Sequence, residues 1–308
     1  MGRDITTQMK KKRELPSAFY GLMLAAVCAV WGLSNAVSKL GFEVITPLWA
    51  LAVRYFAAFW LFLIFFGKRI RTRIKKSDIR PCVLVSVLTA IAFVLGFIAL
   101  DNTSATNCGF LMSLAVVFVP ILSVFLLKSK FEAKFLIPVA IAAAGLFFIC
   151  GGKLDALCSG DIVAILCSCA SALMVIFSVK YLGSADIDPM VLCITQCAVC
   201  FIFSLPLAII FEQPPDLIHM PAIGWYTIAL VTVGGTFMAY TFQNIAFSRV
   251  SPTFGALVYC TEPIFTSVSA YFILGERMTP ITALGAVLIT ASIVLASIFD
   301  AKRGQATN

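Results

Sequence analysis

Apolar residues in this chain run in unbroken blocks, near Ala18–Leu40, Leu48–Phe66, Cys82–Leu100, Cys108–Leu127, Phe135–Cys150, Ile162–Val179, Met190–Phe211, Trp225–Phe247, Phe254–Leu274 and Ile281–Phe299. Most approach the roughly 20 residues that carry an α-helix across about 30 Å of hydrocarbon. Strands of a membrane barrel would alternate polar and apolar side chains, and these blocks do not. The pattern predicts an all-α integral membrane protein with ten transmembrane helices, the fifth being the shortest. The first block follows "KKKR" from Lys10, but it is long for the core of a signal sequence and lacks a small-residue cleavage site. It reads as a retained helix.

Composition agrees: 61% hydrophobic residues, 12% charged and a mean hydropathy of +1.00 leave little for a soluble domain. Charge adds orientation. The N-terminal stretch, the loop "GKRIRTRIKKSDIR", the segment "KSKFEAK", the loops holding Lys180 and Arg249, and the tail hold 19 of the 23 Lys and Arg, whereas the alternate loops hold only Lys153 and Arg277. Basic loops stay cytoplasmic, so both termini are expected there and the protein in the cytoplasmic (plasma) membrane. The net charge of +8 follows from loops lying against anionic headgroups. The lipid bilayer is the expected partner, and nucleic acid is not, because the basic loop Gly67–Arg80 has no interleaved aromatics.

Eleven cysteines, an odd number, fall almost all within apolar blocks, where cysteine packs as a small hydrophobe. "CITQCAVC" from Cys193 has helical ligand spacing, but the one histidine, His219, lies in an outer loop and reads as solvated. No metal or other cofactor is called for. Cys108 and Cys158 both fall near the outer face, which leaves a bridge between them open.

The chain repeats itself. "SKLGFEVITPLWALAVRYFAAF" from Ser38 runs parallel to "VKYLGSADIDPMVLCITQCAVCF" from Val179, pairing Pro47 with Pro189 and Arg54 with Gln196. "FIALDNTSATNCGFL" from Phe97 likewise matches "NIAFSRVSPTFGAL" from Asn244. The chain divides into a cytoplasmic tail (1–17), a first five-helix repeat (18–150), a second (160–299) and a second cytoplasmic tail (300–308). Because five is odd, the second repeat enters the membrane from the opposite side, the architecture of many secondary transporters.

Several stretches resemble the drug/metabolite transporter superfamily, in particular its EamA branch of ten-helix permeases: "WGLSNAVSKLGFE" from Trp31, "AVRYFAAF" from Ala52, "CTEPIF" from Cys260 and "LGERMTPITALGAVLITASIVL" from Leu274. The likeness spans nearly the whole chain, and "GERMTP" is its most specific part. In the first half the corresponding "LKSKFEA" from Leu127 has lost the motif. The resemblance implies a carrier, typically an exporter of amino acids or other small metabolites. Relatives carry nucleotide-sugars, riboflavin or toxic cations.

Two ionisable residues fall well inside the apolar blocks, Arg54 and Glu262, and such groups are functional candidates by default. Pro263 beside Glu262 removes a backbone hydrogen bond and frees a carbonyl one turn earlier. Both residues fit a wet central site, with proton coupling at Glu262 because desolvation disfavours a carboxylate's charged form. The alternative is a structural Arg54–Glu262 ion pair between helices. Ser34, Asn35 and Ser38 on the first helix, and Tyr240, Gln243 and Asn244 on the eighth, suit a zwitterion or polar metabolite, while Trp31, Tyr55 and Tyr259 would line its apolar part. Equally, such groups bond across helices or sit at headgroup depth. Lys39 and Lys180 occupy matching places in the two halves and serve either as gate charges or as snorkelling helix ends. Gly96, Gly234 and Gly235 allow close helix crossing.

An enzyme would need converging acids, a metal set or a nucleophile with its base. The nearest approach is Asp186 with Asp188, a spacing that more often makes a turn before a proline, here Pro189. A channel would show a pore-lining polar stripe or re-entrant filter, and neither is evident. The sequence therefore points to a secondary transporter of a small metabolite, first an exporter of amino acids or related compounds. A carrier of a nucleotide-sugar, vitamin or cationic drug stands second.

Overall fold

The computed structural model describes residues 17–306 except 104, 128–132, 154–157, 184–186, 217, 276 and 278. The basic N-terminal stretch, Asp186, and Glu276 and Met278 of "GERMTP" lie outside the described residues. All regular structure within them is helical. We number the helices α1 (Ser17–Gly41), α2 (Pro47–Arg73), α3 (Lys76–Asn102), α4 (Ala105–Ser113 and Ala115–Leu127), α5 (Leu136–Ile149), α6 (Ser159–Gly183), α7 (Pro189–Phe211), α8 (Ala222–Phe247), α9 (Pro252–Tyr259 and Glu262–Leu274) and α10 (Pro280–Ala306). Among the described residues nine are long and apolar enough to cross a membrane, and α5, with the turn before it, forms a shorter apolar helix over Ala133–Ile149.

Helix starts follow local chemistry. Pro47, Pro189 and Pro252 each occupy a first turn, where the missing N–H is no loss. Asp188 caps α7 by accepting from the Met190 amide, and Ser251 caps α9 by accepting from the Phe254 amide. Gly275 ends α9 at φ 69°, a left-handed conformation that glycine adopts without steric penalty. Three helices outrun their apolar blocks: α2 continues past Phe66 to Arg73, α3 begins at Lys76 ahead of Cys82, and α10 reaches Ala306. Lys and Arg are good helix formers, so hydrogen bonding continues where hydrophobicity stops.

Three helices depart from regular winding. α4 is interrupted at Leu114, α8 winds as a wide π-helix over Leu230–Met238, and α9 is interrupted at Cys260 and Thr261. Pro263 explains the last, since it has no N–H for the Tyr259 carbonyl. The chain tightens instead, with Cys260 donating to Leu257 and Thr261 to Val258. The break thus precedes the proline by two residues.

In the bundle α2 packs on α7, α5 on α10, α3 on α6, α1 on α8, α4 on α6, and the second segment of α9 on α1. Tyr55, Phe62, Phe247 and Phe254 are its largest buried side chains. Phe65, Phe125, Ile210 and Phe272 face outward, as lipid contact requires. Two crossings are backbone-close: a Cβ at Gly285 would collide with the Gly145 backbone, and one at Gly32 with the backbone of Phe265 and Thr266. The second crossing fixes α1 against the segment of α9 that begins with Glu262.

Candidate functional site

α1 and the broken helix α9 make the first half of the site. Glu262 opens the second α9 segment, ten residues after Pro252, or about 15 Å along the helix at 1.5 Å per residue. Its Oε1 accepts the Asn35 side-chain amide across 3.1 Å. Glu262 is half-buried and Asn35 exposed, so the pair borders space open to the outside of the protein. In the second α9 segment only Ala270 is buried, so this wall of the site is lightly packed. Below it lies an aromatic row: Trp31 meets Tyr259 edge-on at 5.5 Å, and Tyr259 meets Phe247 at 5.6 Å. The Trp31 indole N–H donates to the Gly235 carbonyl at 2.8 Å, inside the π stretch of α8. Ser34 and Ser38 are buried, and the Ser34 hydroxyl packs against Gly235. Neither the Ser34 hydroxyl nor the buried Tyr259 hydroxyl has a hydrogen-bond partner among the described residues.

The second half gathers on α2, α3 and α8. The Tyr55 and Tyr240 hydroxyls are hydrogen-bonded at 2.8 Å, and Arg54 Nη2 donates to the Tyr55 hydroxyl at 3.2 Å. The guanidinium carbon lies 4.8 Å from the Tyr55 ring centre and 5.6 Å from that of Phe93, within cation–π range. Arg54 Nε is sealed from solvent and has no acceptor among the described residues. One tyrosine ring and one phenylalanine ring spread the charge of the guanidinium without neutralising it.

The anticipated ion pair is not formed. Glu262 bonds to Asn35 and Arg54 to Tyr55, and among the described residues neither makes a salt bridge. The physical reason is placement: Arg54 points into the cage built by α2, α3 and α8, whereas Glu262 faces α1. The structure therefore holds the arginine and the carboxyl group in separate cages.

Gln243 and Asn244 do not join either cage. Asn244 donates to Gln196 Oε1 at 2.9 Å, Gln243 donates to Asn244 Oδ1 at 3.3 Å, and Gln196 donates to Thr89 at 3.3 Å. All four are buried, so this network ties α3, α7 and α8 together. Gln196 carries the only sequence sign of it, an amide in an apolar block opposite Arg54 in the repeat. Lys39 is exposed at the end of α1, and Lys180 lies 5.9 Å and 5.8 Å from the Phe177 and Tyr181 rings.

Other expectations need correcting. Cys108 and Cys158 are free thiols: Cys108 lies 3.4 Å from the Met112 sulfur, and Cys158 points to the Asn102 carbonyl. His219 is not merely solvated, since its Nδ1 lies 2.7 Å from Asp216 Oδ2, and the His219 and Ile218 amides also reach Asp216. Those bonds hold the Asp216 carboxyl below its usual range. Asp188 is engaged by Arg69 Nε at 2.9 Å.

Two contacts that the sequence did not signal close the opposite ends of the bundle. Glu212, at the end of α7, takes the Leu48 amide at 3.1 Å and the Trp49 amide at 3.0 Å, capping α2 from outside its own chain segment. The Arg69–Asp188 pair joins the other end of α2 to the start of α7. Near the start of α6, Asp161 accepts from Thr103, Asn107 and the Cys158 amide.

The model of the EamA-like transporter family matches this chain twice, over residues 19–151 and 158–298. Two relatives from Archaeoglobus fulgidus, each named "Uncharacterized transporter", are 27% identical over 90% of this chain and 85% of their own length, and 25% identical over 89% and 96%. A solved structure described as "Crystal structure of protein" superposes with a TM-score of 0.76 at 15% identity, covering 92% of this chain and 98% of that one. That likeness shows the fold.

Proposed function

The chain belongs to the EamA-like transporter family, and we propose that it exports an amino acid or a related small metabolite across the cytoplasmic membrane by alternating access. The observation that carries this reading is a base and an acid that have no ionic partner among the described residues, Arg54 in its aromatic cage and Glu262 beside Asn35. A zwitterion supplies a counter-charge to each: its carboxylate to the guanidinium fork, its ammonium to the carboxylate. Trp31, Tyr259 and Tyr240 are the apolar walls for its side chain. A single arginine suits a carboxylate better than the several charges of a nucleotide-sugar.

Glu262 also carries coupling in this reading. A carboxylate at that depth is costly to leave bare, so it holds a proton when the site is empty and the substrate ammonium when it is full. Exchange of one for the other makes the carrier a proton antiporter.

Alternating access rests on two inverted repeats. The family model matches two halves, and the helix pairs support the symmetry. Moving each helix five places along leaves α2·α7 and α5·α10 unchanged, and exchanges α1·α8 with α3·α6 and α1·α9 with α4·α6. The basic loops favour cytoplasmic termini, which puts the Glu212 end outside. The test is a comparison of extracellular amino acids and amines for cells with and without the protein, followed by counterflow in proteoliposomes. Export of zwitterions is expected; a nucleotide-sugar as the only exported species overturns the reading.

A further inference from the structure

The α2–α3 hairpin carries a charge pattern that transport does not use. α2 is 27 residues long, about 40 Å, against roughly 30 Å of hydrocarbon, and its apolar block ends at Phe66. The surplus, Gly67–Arg73, therefore stands in the headgroup layer, and α3 begins there with Lys76. Between positions 68 and 80 the side chains of Lys68, Arg71, Arg73, Lys75, Lys76 and Arg80 are all exposed, and none forms a salt bridge among the described residues. Arg69 is committed to Asp188. The one acid within the hairpin, Asp78, is 6% exposed and turned onto the Lys75 amide and the Ser77 hydroxyl. The hairpin thus presents cations without an acid among them. Ile74 at its turn is 44% exposed and Ile79 is 49% exposed, apolar groups that a water-facing loop would hide and an interface accommodates.

We propose that this hairpin is a binding surface for anionic phospholipid, its six free cations holding acidic headgroups while Ile74 and Ile79 enter the headgroup–acyl boundary. Clustered Lys and Arg beside a transmembrane helix recognise acidic lipid by charge, and the attraction decays within a Debye length. Lipid is favoured over a soluble polyanion because the cations and the two isoleucines lie at headgroup depth together. The proposal needs only that the chain spans a membrane, so it stands or falls apart from the nature of the cargo.

The test uses the full chain in phosphatidylcholine nanodiscs containing a small fraction of fluorescent phosphatidylglycerol. Enrichment of that lipid around the protein is read by energy transfer from a dye on a cysteine placed at Ser77 in a Cys158→Ser background, which serves as the reference protein. The reference protein should enrich phosphatidylglycerol over an equally labelled phosphatidylcholine, and raising salt from about 0.01 M to about 0.15 M should remove most of the enrichment as the screening length falls from about 30 Å to about 8 Å. Changing all six cations to Gln should weaken enrichment by about tenfold or more, while exchanging Lys for Arg and Arg for Lys at the same positions should preserve it. Should the Gln variant fail to insert, the salt titration of the reference protein still decides. Equal enrichment of the two lipids, or enrichment indifferent to salt, overturns the proposal. So does displacement by inorganic phosphate far beyond that by chloride at equal ionic strength, which would assign the surface to a soluble phosphate.

Discussion

Asn35 and Glu262, 227 positions apart in sequence, meet at 3.1 Å between α1 and the second segment of α9. The amide is the carboxylate's one hydrogen-bond donor among the described residues, and no cation completes it. Glu262→Gln keeps the shape and the partner while removing the charge. It should insert and unfold like wild type but lose transport by about tenfold or more, together with its pH dependence, measured in proteoliposomes across a pH series. Because Arg54 is not its partner, adding Arg54→Gln should not rescue it. Wild-type transport with an unchanged pH profile in Glu262→Gln would make the residue structural.

Arg54 is held by rings, so charge and shape can be separated. Arg54→Lys keeps the cation but loses the planar fork, and Arg54→Gln loses both. A charge-assisted bond to a carboxylate contributes about 1.5–3 kcal/mol, so Arg54→Gln should raise KM for a zwitterion roughly 10- to 100-fold, with Arg54→Lys between it and wild type. An amine lacking the carboxylate should bind both variants as it binds wild type. Equal losses for amine and zwitterion would show that Arg54 only supports the fold.

The buried amides predict a coupling. Removing one partner of Gln196–Asn244 leaves the other unsatisfied, whereas Gln196→Leu with Asn244→Leu removes both. In a double-mutant cycle on thermal unfolding the double variant should lose less than the two singles together, by about 0.6–2 kcal/mol. Additive losses would mean that the amides stabilise α7 and α8 independently.

Much of this arrangement was legible in the chain, and for physical reasons. Long apolar blocks have few alternatives to a membrane helix, and a carboxylate beside a proline in such a block announces itself. That is why Glu262 and the irregular winding of α9 follow from "TEP". What Arg54 touches did not follow, because the chain offers both a carboxylate for an ion pair and aromatic rings for a cage, and rotation about α2 decides which of them the guanidinium meets. Glu212 was invisible for another reason: it caps a helix 164 positions away, and no local pattern marks a cap supplied from outside. The polar set on α8 looked uniform, yet Tyr240 bonds to Tyr55 on α2 while Gln243 and Asn244 join the network that reaches α7. The helical period separates them, and only packing says which face is which.

The two clamps between α2 and α7 should act in opposite senses. Glu212→Ala removes the acceptor for two backbone amides, a cap worth about 0.5–2 kcal/mol, and loosens the end that carries Leu48. Arg69→Gln releases Asp188 from the clamp at the other end and leaves its cap on the Met190 amide in place. If both ends must open in turn, the first variant should raise labelling of a cysteine placed at Trp49 and leave one placed at Gly67 unchanged, and the second should do the reverse. Equal effects at both ends would mean that the clamps hold the fold without gating it.

Orientation can be tested with a native thiol. Of the eleven free cysteines only Cys158 is exposed; the others are buried or half-buried. It lies at the start of α6, on the end of the bundle that also holds Glu212 and Lys39, which the loop charges assign to the outside. A membrane-impermeant maleimide should therefore label wild-type protein in intact cells, and Cys158→Ser should abolish the signal. Ser77, exposed on the basic hairpin at the opposite end, supplies the complement: Ser77→Cys in the Cys158→Ser background should react only after the membrane is permeabilised. Ser77 serves better than its neighbour Asp78, which is buried and caps α3. Labelling of Ser77→Cys but not Cys158 in intact cells would reverse the orientation.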